Sequence, residues 1–314
     1  MLNEIAVSNK RTLIILTAFL FVMTVVGCNS NMHKSSKLDS IVEGNQLAKL
    51  INEKPAEKII LLDVRSEDEY NKGHLAGAIL IDLKDWEEES LASETDLEHE
   101  TLWKNKIGKI GINGYDPVII YDDGRMTNSA RIWFILQHFG VLKTSVVNGG
   151  YPMLESQIRN GNLTISYEQT KPVPVIFEPN GKTSASVKLI ERQNVLESIE
   201  EEKSQILDTR THDEYKGIDL RNNPRGGHLP AAINLPHKEL LDDKGRLKSP
   251  EKLAKIFKKA GFKKGSPIII YCNSGGRASL TALAAKRAGY GPVMNYYHSF
   301  KEWSAEMSCP LEMP

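Results

Sequence analysis

The sequence predicts an α/β protein built as a duplication, two domains that are each a parallel sheet with helices on both faces. Three observations carry this. Short apolar runs of the kind that form buried strands alternate with amphipathic or alanine-rich stretches of the kind that form helices. A set of short motifs occurs twice, in one order. The chain has 314 residues, which is long for one core and suits two domains of ordinary size.

The front end differs from the rest. Lys10 and Arg11 precede an apolar run of 14 residues, Leu13–Val26, which meets Gly27-Cys28. A positive start, an apolar core and a small residue before the break make an export signal. The run falls short of the roughly 17–25 residues that span a bilayer. Val25-Val26-Gly27-Cys28 resembles the bacterial lipobox, in which the cysteine is lipidated and becomes the first residue of the mature chain. Residues 1–27 are therefore read as a lipoprotein signal peptide, Cys28 as the lipidation site and residues 28–37 as a polar tether. The expected product is exported and membrane-anchored, on the periplasmic or cell-surface side.

The first globular domain is expected over residues 38–168. Ile41–Asn52 has helical amphipathicity, and Ile59-Ile60-Leu61-Leu62 reads as a buried strand ending in Asp63-Val64-Arg65. Glu69-Tyr70, Gly73-His74-Leu75-Ala76-Gly77-Ala78 and the short run Ile79–Ile81 follow. Trp86–Lys106 is acidic and helix-prone, Val118–Tyr121 is a strand, Ser129–Phe139 its helix, and Ser145–Asn148 a strand leading into Gly149-Gly150-Tyr151. Residues 169–184, with Lys171-Pro172-Val173-Pro174 and Glu178-Pro179-Asn180-Gly181, form an extended linker.

Residues 185–314 repeat the order. Asp208-Thr209-Arg210 matches Asp63-Val64-Arg65, and Glu214-Tyr215 matches Glu69-Tyr70. Gly227–Ala232 matches Gly73–Ala78 after a nine-residue insertion, and Ile268–Tyr271 matches Val118–Tyr121. Tyr297-His298-Ser299-Phe300 stands where Asn148-Gly149-Gly150-Tyr151 stood. Because the Asp-x-Arg and Gly-His-Leu pieces occur in both halves, they are read as framework rather than as catalytic groups.

One element is not repeated. The strand Ile268–Tyr271 ends at Cys272, followed by Asn273-Ser274-Gly275-Gly276, Arg277 and an alanine-rich helix closing at Gly289. A thiol between a strand and a helix lies where ligands gather in parallel sheets. Glycines let the N–H groups of such a loop turn inward as an anion-holding nest, and an arginine nearby favours the thiolate. Four residues separate Cys272 from Arg277, one fewer than in the phosphate cradle of tyrosine phosphatases, so the ring suits a single sulfur. The first half has Asp122 at this position, in Tyr121-Asp122-Asp123-Gly124-Arg125. A carboxylate lacks a thiolate's nucleophilicity and repels anions, so the first domain is expected to be inert.

From about Leu38 onward these motifs resemble those of the tandem rhodanese family, the thiosulfate and 3-mercaptopyruvate sulfurtransferases. The resemblance implies two rhodanese-like domains and a Cys272 persulfide, loaded from a small anionic sulfur donor and unloaded to cyanide or a thiol. Cys272 and Arg277 are then the catalytic pair, Asn273, Ser274, Gly275 and Gly276 the active-site loop. Arg221 and Arg225, in the insertion, are candidates for binding the donor's anionic group. Ser299 falls where mercaptopyruvate enzymes place a serine proposed to assist proton transfer. The accompanying first-domain aspartate falls on Lys84, and the family's usual arginine near Tyr215 is replaced by Glu214; these departures favour thiosulfate as donor. Two rivals stay open: a persulfide-carrying surface protein without rapid turnover, and a small-oxyanion phosphatase or arsenate reductase using the same cysteine.

Composition bounds the partners. Lys and Arg total 40 against 40 Asp and Glu, and no basic stripe suggests nucleic acid. Three cysteines are too few for a disulfide framework, and none has metal-ligand spacing with histidine. No metal or organic cofactor is expected, and a monomer is. Cys309, in the tail, reads as an incidental small apolar residue.

Overall fold

The computed structural model describes residues 39–53, 58–179 and 185–313. The expected signal peptide, Cys28 and the tether lie outside these residues.

The first half runs β1 (Ile41–Val42), α1 (Gly44–Asn52), β2 (Ile60–Asp63), α2 (Glu67–Asn71), β3 (His74–Leu75), β4 (Ile79–Leu80), α3 (Leu83–Leu91), α4 (Glu100–Lys109), β5 (Val118–Tyr121), α5 (Thr127–His138), β6 (Thr144–Val147), α6 (Glu155–Arg159) and β7 (Ile165–Ser166). The second half runs β8 (Lys188–Leu189), α7 (Arg192–Glu200), β9 (Gln205–Asp208), α8 (His212–Tyr215), β10 (Ala232–Asn234), α9 (Pro250–Lys259), β11 (Ile268–Tyr271), α10 (Gly276–Arg287), β12 (Val293–Asn295) and α11 (Ser299–Ala305). Each half forms a five-stranded sheet, in the orders β1-β6-β5-β2-β4 and β10-β9-β11-β12-β8, with every pairing parallel. Reversing the second order aligns it with the first strand by strand. The duplication read from the motifs is thus a duplication of topology.

The registers repeat too. Asp63 pairs with Tyr121 as Asp208 pairs with Tyr271, each at the carboxyl end of a central strand. Fully apolar strands such as Ile268–Tyr271 are buried along their length, as expected where helices cover both faces.

The repeated motifs build the framework around those strand ends. Arg65 Nη2 donates to Asp63 at 2.6 Å and to the Gly73 carbonyl at 2.9 Å, with its guanidinium 3.8 Å from the Tyr151 ring centre. Arg210 does the same with Asp208 at 2.6 Å, the Gly227 carbonyl at 2.7 Å and the Phe300 ring at 3.8 Å. A buried charge kept by a partner, a carbonyl and an aromatic face is costly to disturb, because removing one partner strands the other. His74 and His228 stack on Tyr70 and Tyr215 and meet the carbonyls of those residues through Nδ1, both at 3.0 Å.

Two local expectations need correction. Ile41–Val42 is an edge strand, not the start of a helix: these β-branched residues pair with Val146 and Val147, and the helix starts only at Gly44. The Gln46 side chain accepts the Glu43 N–H at 2.9 Å and so sets that start. The acidic stretch Trp86–Lys106 is divided between α3 and α4. The turn between them is held by Trp103, whose indole N–H reaches the carbonyls of Thr95 and Asp96, both at 2.9 Å.

The halves meet along α5 and α10. A turn bridged by Leu241 and Leu247 reaches from the second half to the first, where Asn148 Oδ1 accepts the Leu247 N–H at 2.7 Å. Another meeting point is strained electrostatically. Burial, then the charges of Glu98, Glu302 and Asp96, push the Glu191 carboxyl up to about 7, and its Oε1 is buried with no hydrogen-bond partner among the described residues. A carboxyl raised on folding costs stability once pH exceeds its unfolded value, fully so above its folded value. Glu191→Gln is therefore expected to stabilise above pH 7, by on the order of 1–2 kcal/mol after allowing for partial exposure. In thermal melts this is a rise of roughly 2–4 °C, shrinking to nothing as pH falls towards the unfolded glutamate range.

Candidate active site

β11 delivers Cys272 to the carboxyl edge of the second sheet, and α10 begins at Gly276. The first turn of a helix leaves N–H groups without intrahelical acceptors, and their dipoles favour negative charge. Gly275, the residue before α10, donates its N–H to Cys272 Sγ at 3.1 Å.

Both glycines are tightly surrounded, for different reasons. Gly275 has φ +90, and a Cβ there would lie 2.7 Å from the Tyr297 ring. Gly276 has an ordinary helical backbone, but a Cβ would come within 3.2 Å of Arg131 Nη2, a first-half atom. One glycine serves the turn; the other makes room for the neighbouring half.

Ser299 supports the cysteine from below. Its Oγ accepts the Cys272 N–H at 3.1 Å, donates to the Tyr296 carbonyl at 2.7 Å and lies 3.8 Å from Sγ. The hydroxyl proton is thus engaged by the carbonyl. Ser299 has φ 59 and is fully buried, a left-handed conformation that a non-glycine residue adopts only under constraint from its surroundings.

Arg277 is clamped. It donates to both oxygens of Glu214, at 2.6 and 2.8 Å, and Thr211 adds its N–H and hydroxyl to the same carboxylate, each at 3.0 Å. Burial pushes Glu214 up, but Arg277 and then Thr211 outweigh it and hold the carboxyl at about 2. Burial likewise opposes the charge on Arg277, which Glu214 and the nearby Cys272 sulfur more than restore. Glu214 thus fixes a guanidinium beside the sulfur. His237, whose Nδ1 is buried without a partner among the described residues, is kept neutral by burial and by Arg277, down to about 4.

The loop forms one wall of a cleft of about 740 Å³ between the halves. Asn273, Ser274, Arg221, Asn223 and Lys301 line it from the second half, with Lys84 and Glu87 from the first. Asn223 Nδ2 donates to Asn273 Oδ1 at 2.8 Å, and Ser274 Oγ donates to Glu87 at 3.2 Å. Cys272 itself is 1% exposed, so its sulfur lies behind this wall rather than open to the cleft.

Of the two arginines of the insertion, only Arg221 faces the cleft. Arg225 was expected beside it, but its guanidinium is spent on four carbonyls, those of Trp303, Ser304, Glu306 and Cys309. The first three are open acceptors at the end of α11, and the fourth lies in the tail just beyond it. Arg225 caps that helix, and the carbonyl of Cys309 is one of its anchors.

The first-half counterpart is self-occupied. Asp122 Oδ1 accepts the Gly124 N–H at 2.9 Å, and Oδ2 accepts the N–H and hydroxyl of Ser129 at 3.1 and 3.0 Å. Burial raises this carboxyl, and those bonds only partly offset it. Among the described residues no group of histidine, cysteine and acidic side chains could hold a metal ion.

Motif reading did not find Glu87, Arg131, Asn223 or His237. Arg131 left the clearest signal: a lone arginine in the otherwise apolar run Ala130-Arg131-Ile132-Trp133-Phe134, every residue of which is buried.

A thiol in an anion nest at one strand end of a duplicated scaffold, whose two five-stranded sheets are parallel throughout, defines a class of sulfur-handling α/β protein. The rhodanese-like domain model matches residues 43–156 and 191–306, and the chain belongs to that family. It is similar to thiosulfate sulfurtransferase of Mus musculus, 28% identical over 76% of this chain and 80% of the relative, and to that of Bos taurus, 29% identical over 75% and 78%. It is also similar to 3-mercaptopyruvate sulfurtransferase of Escherichia coli K12, 28% identical over 78% and 85%. Among solved structures, the anaerobic ergothioneine biosynthesis enzyme of Chlorobium limicola shares the fold, with a TM-score of 0.76 at 20% identity, over 88% of this chain and 71% of that one.

The Glu214 clamp has a pH signature. A depressed carboxyl contributes stability above its unfolded value, and that contribution is lost as pH falls through the folded value. Glu214→Gln is expected to lower the melting temperature at pH 7 by an amount corresponding to about 3 kcal/mol. The gap from the parent should close between about pH 4.5 and pH 2, which melts across that window measure.

Proposed function

We propose that the protein is a sulfurtransferase that carries a sulfane sulfur on Cys272, taking it from thiosulfate and passing it to cyanide or a thiol. The observation that carries this is the Gly275 N–H on Cys272 Sγ at the start of α10, with Arg277 fixed beside it. Both groups favour negative charge at the sulfur, in the attacking thiolate and in the persulfide that follows.

The thiolate attacks the outer sulfur of thiosulfate. A sulfur–sulfur bond forms to Cys272, the donor's own sulfur–sulfur bond breaks, and its electron pair leaves with sulfite. The negative charge then rests on the terminal persulfide sulfur. Cyanide attacks that sulfur, thiocyanate departs, and the thiolate returns. Lys84, Arg221 and Lys301 supply positive charge to the cleft through which an anionic donor approaches. Because Cys272 is covered, entry requires the 273–274 segment or the facing 221–224 segment to move aside.

A second reading, 3-mercaptopyruvate as donor, is favoured by Ser299 beneath the sulfur. There the cysteine–sulfur bond forms as the donor's carbon–sulfur bond breaks, and the thiol proton ends on the carbon of pyruvate. Steady-state rates with each donor decide between them. With the better donor, mass spectrometry should show one sulfur gained at Cys272. Cys272→Ser should abolish thiocyanate formation with the melting temperature nearly unchanged. Undiminished turnover in that variant would move the chemistry elsewhere, and hydrolysis of p-nitrophenyl phosphate instead would favour a phosphatase.

The location is part of the same proposal: export and anchoring through lipid on Cys28. No described helix is long and apolar enough to cross a membrane. Cys28→Ala should shift the protein from the membrane pellet to the soluble fraction.

A further inference from the structure

We infer that Arg131, from the half without a cysteine, is a positioning residue for the Cys272 loop. It lies on α5, is 4% exposed and faces α10 across the junction of the halves. One terminal nitrogen donates to the Tyr297 hydroxyl at 2.8 Å, the other to Glu87 Oε1 at 2.7 Å. Each of these partners touches the loop. The Tyr297 ring occupies the space that a Cβ on Gly275 would need, and Glu87 Oε1 also receives the Ser274 hydroxyl. The guanidinium itself packs against Gly276.

Three consecutive loop residues therefore lean on one first-half side chain. Phe134 stacks on Tyr297 with ring centres 5.5 Å apart, and Ser90 shares a hydrogen bond with its hydroxyl at 2.8 Å. Tyr297 is thus held from three sides, and the amide of Gly275 stays aimed at the sulfur. The positive charge is also felt there. Burial opposes the charge on Arg131, but Tyr297, Glu87 and the Cys272 sulfur raise its pKa. A buried cation with two charge-assisted bonds is a fixed dipole source, of more effect than an exposed one.

The test has an arm independent of sulfur transfer, since the turnover arm rests on the function proposed above. Arg131→Met removes the charge while keeping most of the volume, and Arg131→Lys restores the charge. Alkylation of Cys272 by iodoacetamide at pH 7, followed on its own peptide by mass spectrometry, should slow roughly tenfold in Arg131→Met, about what one charge-assisted contact supplies. It should recover most of that loss in Arg131→Lys. Thiosulfate:cyanide turnover should lose kcat in parallel, with KM for thiosulfate changing less than about threefold. A structural role alone would lower the melting temperature of both variants without this charge-dependent rescue. If Arg131→Met does not fold, Tyr297→Phe removes only the hydroxyl and should slow alkylation in the same direction. Unchanged alkylation and kcat in a folded Arg131→Met, or Arg131→Lys as impaired as Arg131→Met, overturns the inference. A parent protein that transfers no sulfur, but whose alkylation follows this pattern, overturns the proposed function and supports the inference.

Discussion

Negative charge on a single sulfur has to be met by the N–H groups of a turn that leaves β11 and enters α10 within four residues. So short a turn admits little variation. It requires a positive φ at Gly275, and it brings the Tyr297 ring so close that any side chain there would collide with it. Tyr297 must then be held in turn, which the second half does not do alone. The hydroxyl and ring of this tyrosine are fixed by Ser90, Arg131 and Phe134. From one sulfur, the requirement passes through a glycine and a tyrosine into the other half of the molecule.

The same place in the first half meets the same constraint with opposite chemistry. Asp122 brings its own carboxyl oxygens to the nest, so the amide of Gly124 and the amide and hydroxyl of Ser129 are already taken. The following turn is packed just as closely. Gly150 has φ +64, and a Cβ there would lie 2.7 Å from Asp122 Oδ1. Its counterpart in the repeat is Ser299, which keeps the left-handed backbone but carries a hydroxyl into that space, where it accepts the Cys272 N–H. The strain of a left-handed serine is accepted where the cysteine is, and absent where the aspartate is, which marks the difference between the halves as functional.

The sequence made the fold legible because its signals were local and repeated. Ile268–Tyr271 and Val118–Tyr121 read as buried strands from composition, and Asp-x-Arg read as framework because it occurred with and without the cysteine. Ile41–Val42 reads as helix because two apolar residues before a helical pattern look like its first turn, while their pairing with Val146 and Val147 lies about a hundred positions away. At the site, Cys272, the glycines and Arg277 were visible as a motif. Glu214 was visible only as a departure from the family pattern. Its partnership with Arg277 depends on α8 facing α10, which no spacing reveals. Arg225 fell in the expected segment, yet the carbonyls it caps belong to a helix some eighty residues later.

That asymmetry bears on why a duplicated chain keeps a half that holds no nucleophile. If the first half only walled off a cleft, its contacts would be with the rim: Lys84 and Glu88 fit that description. Arg131 does not, and Glu87 does more than line the cleft. They reach past the rim to Ser274, Gly276 and Tyr297, the residues that shape the loop itself. An arginine buried in an apolar helix is costly unless its charge is matched, and here it is matched by a carboxylate and a phenol that both lead to the sulfur. The half that holds no nucleophile thus still bears on the loop that does, its helix α5 packed against α10 with a cation at the point of contact.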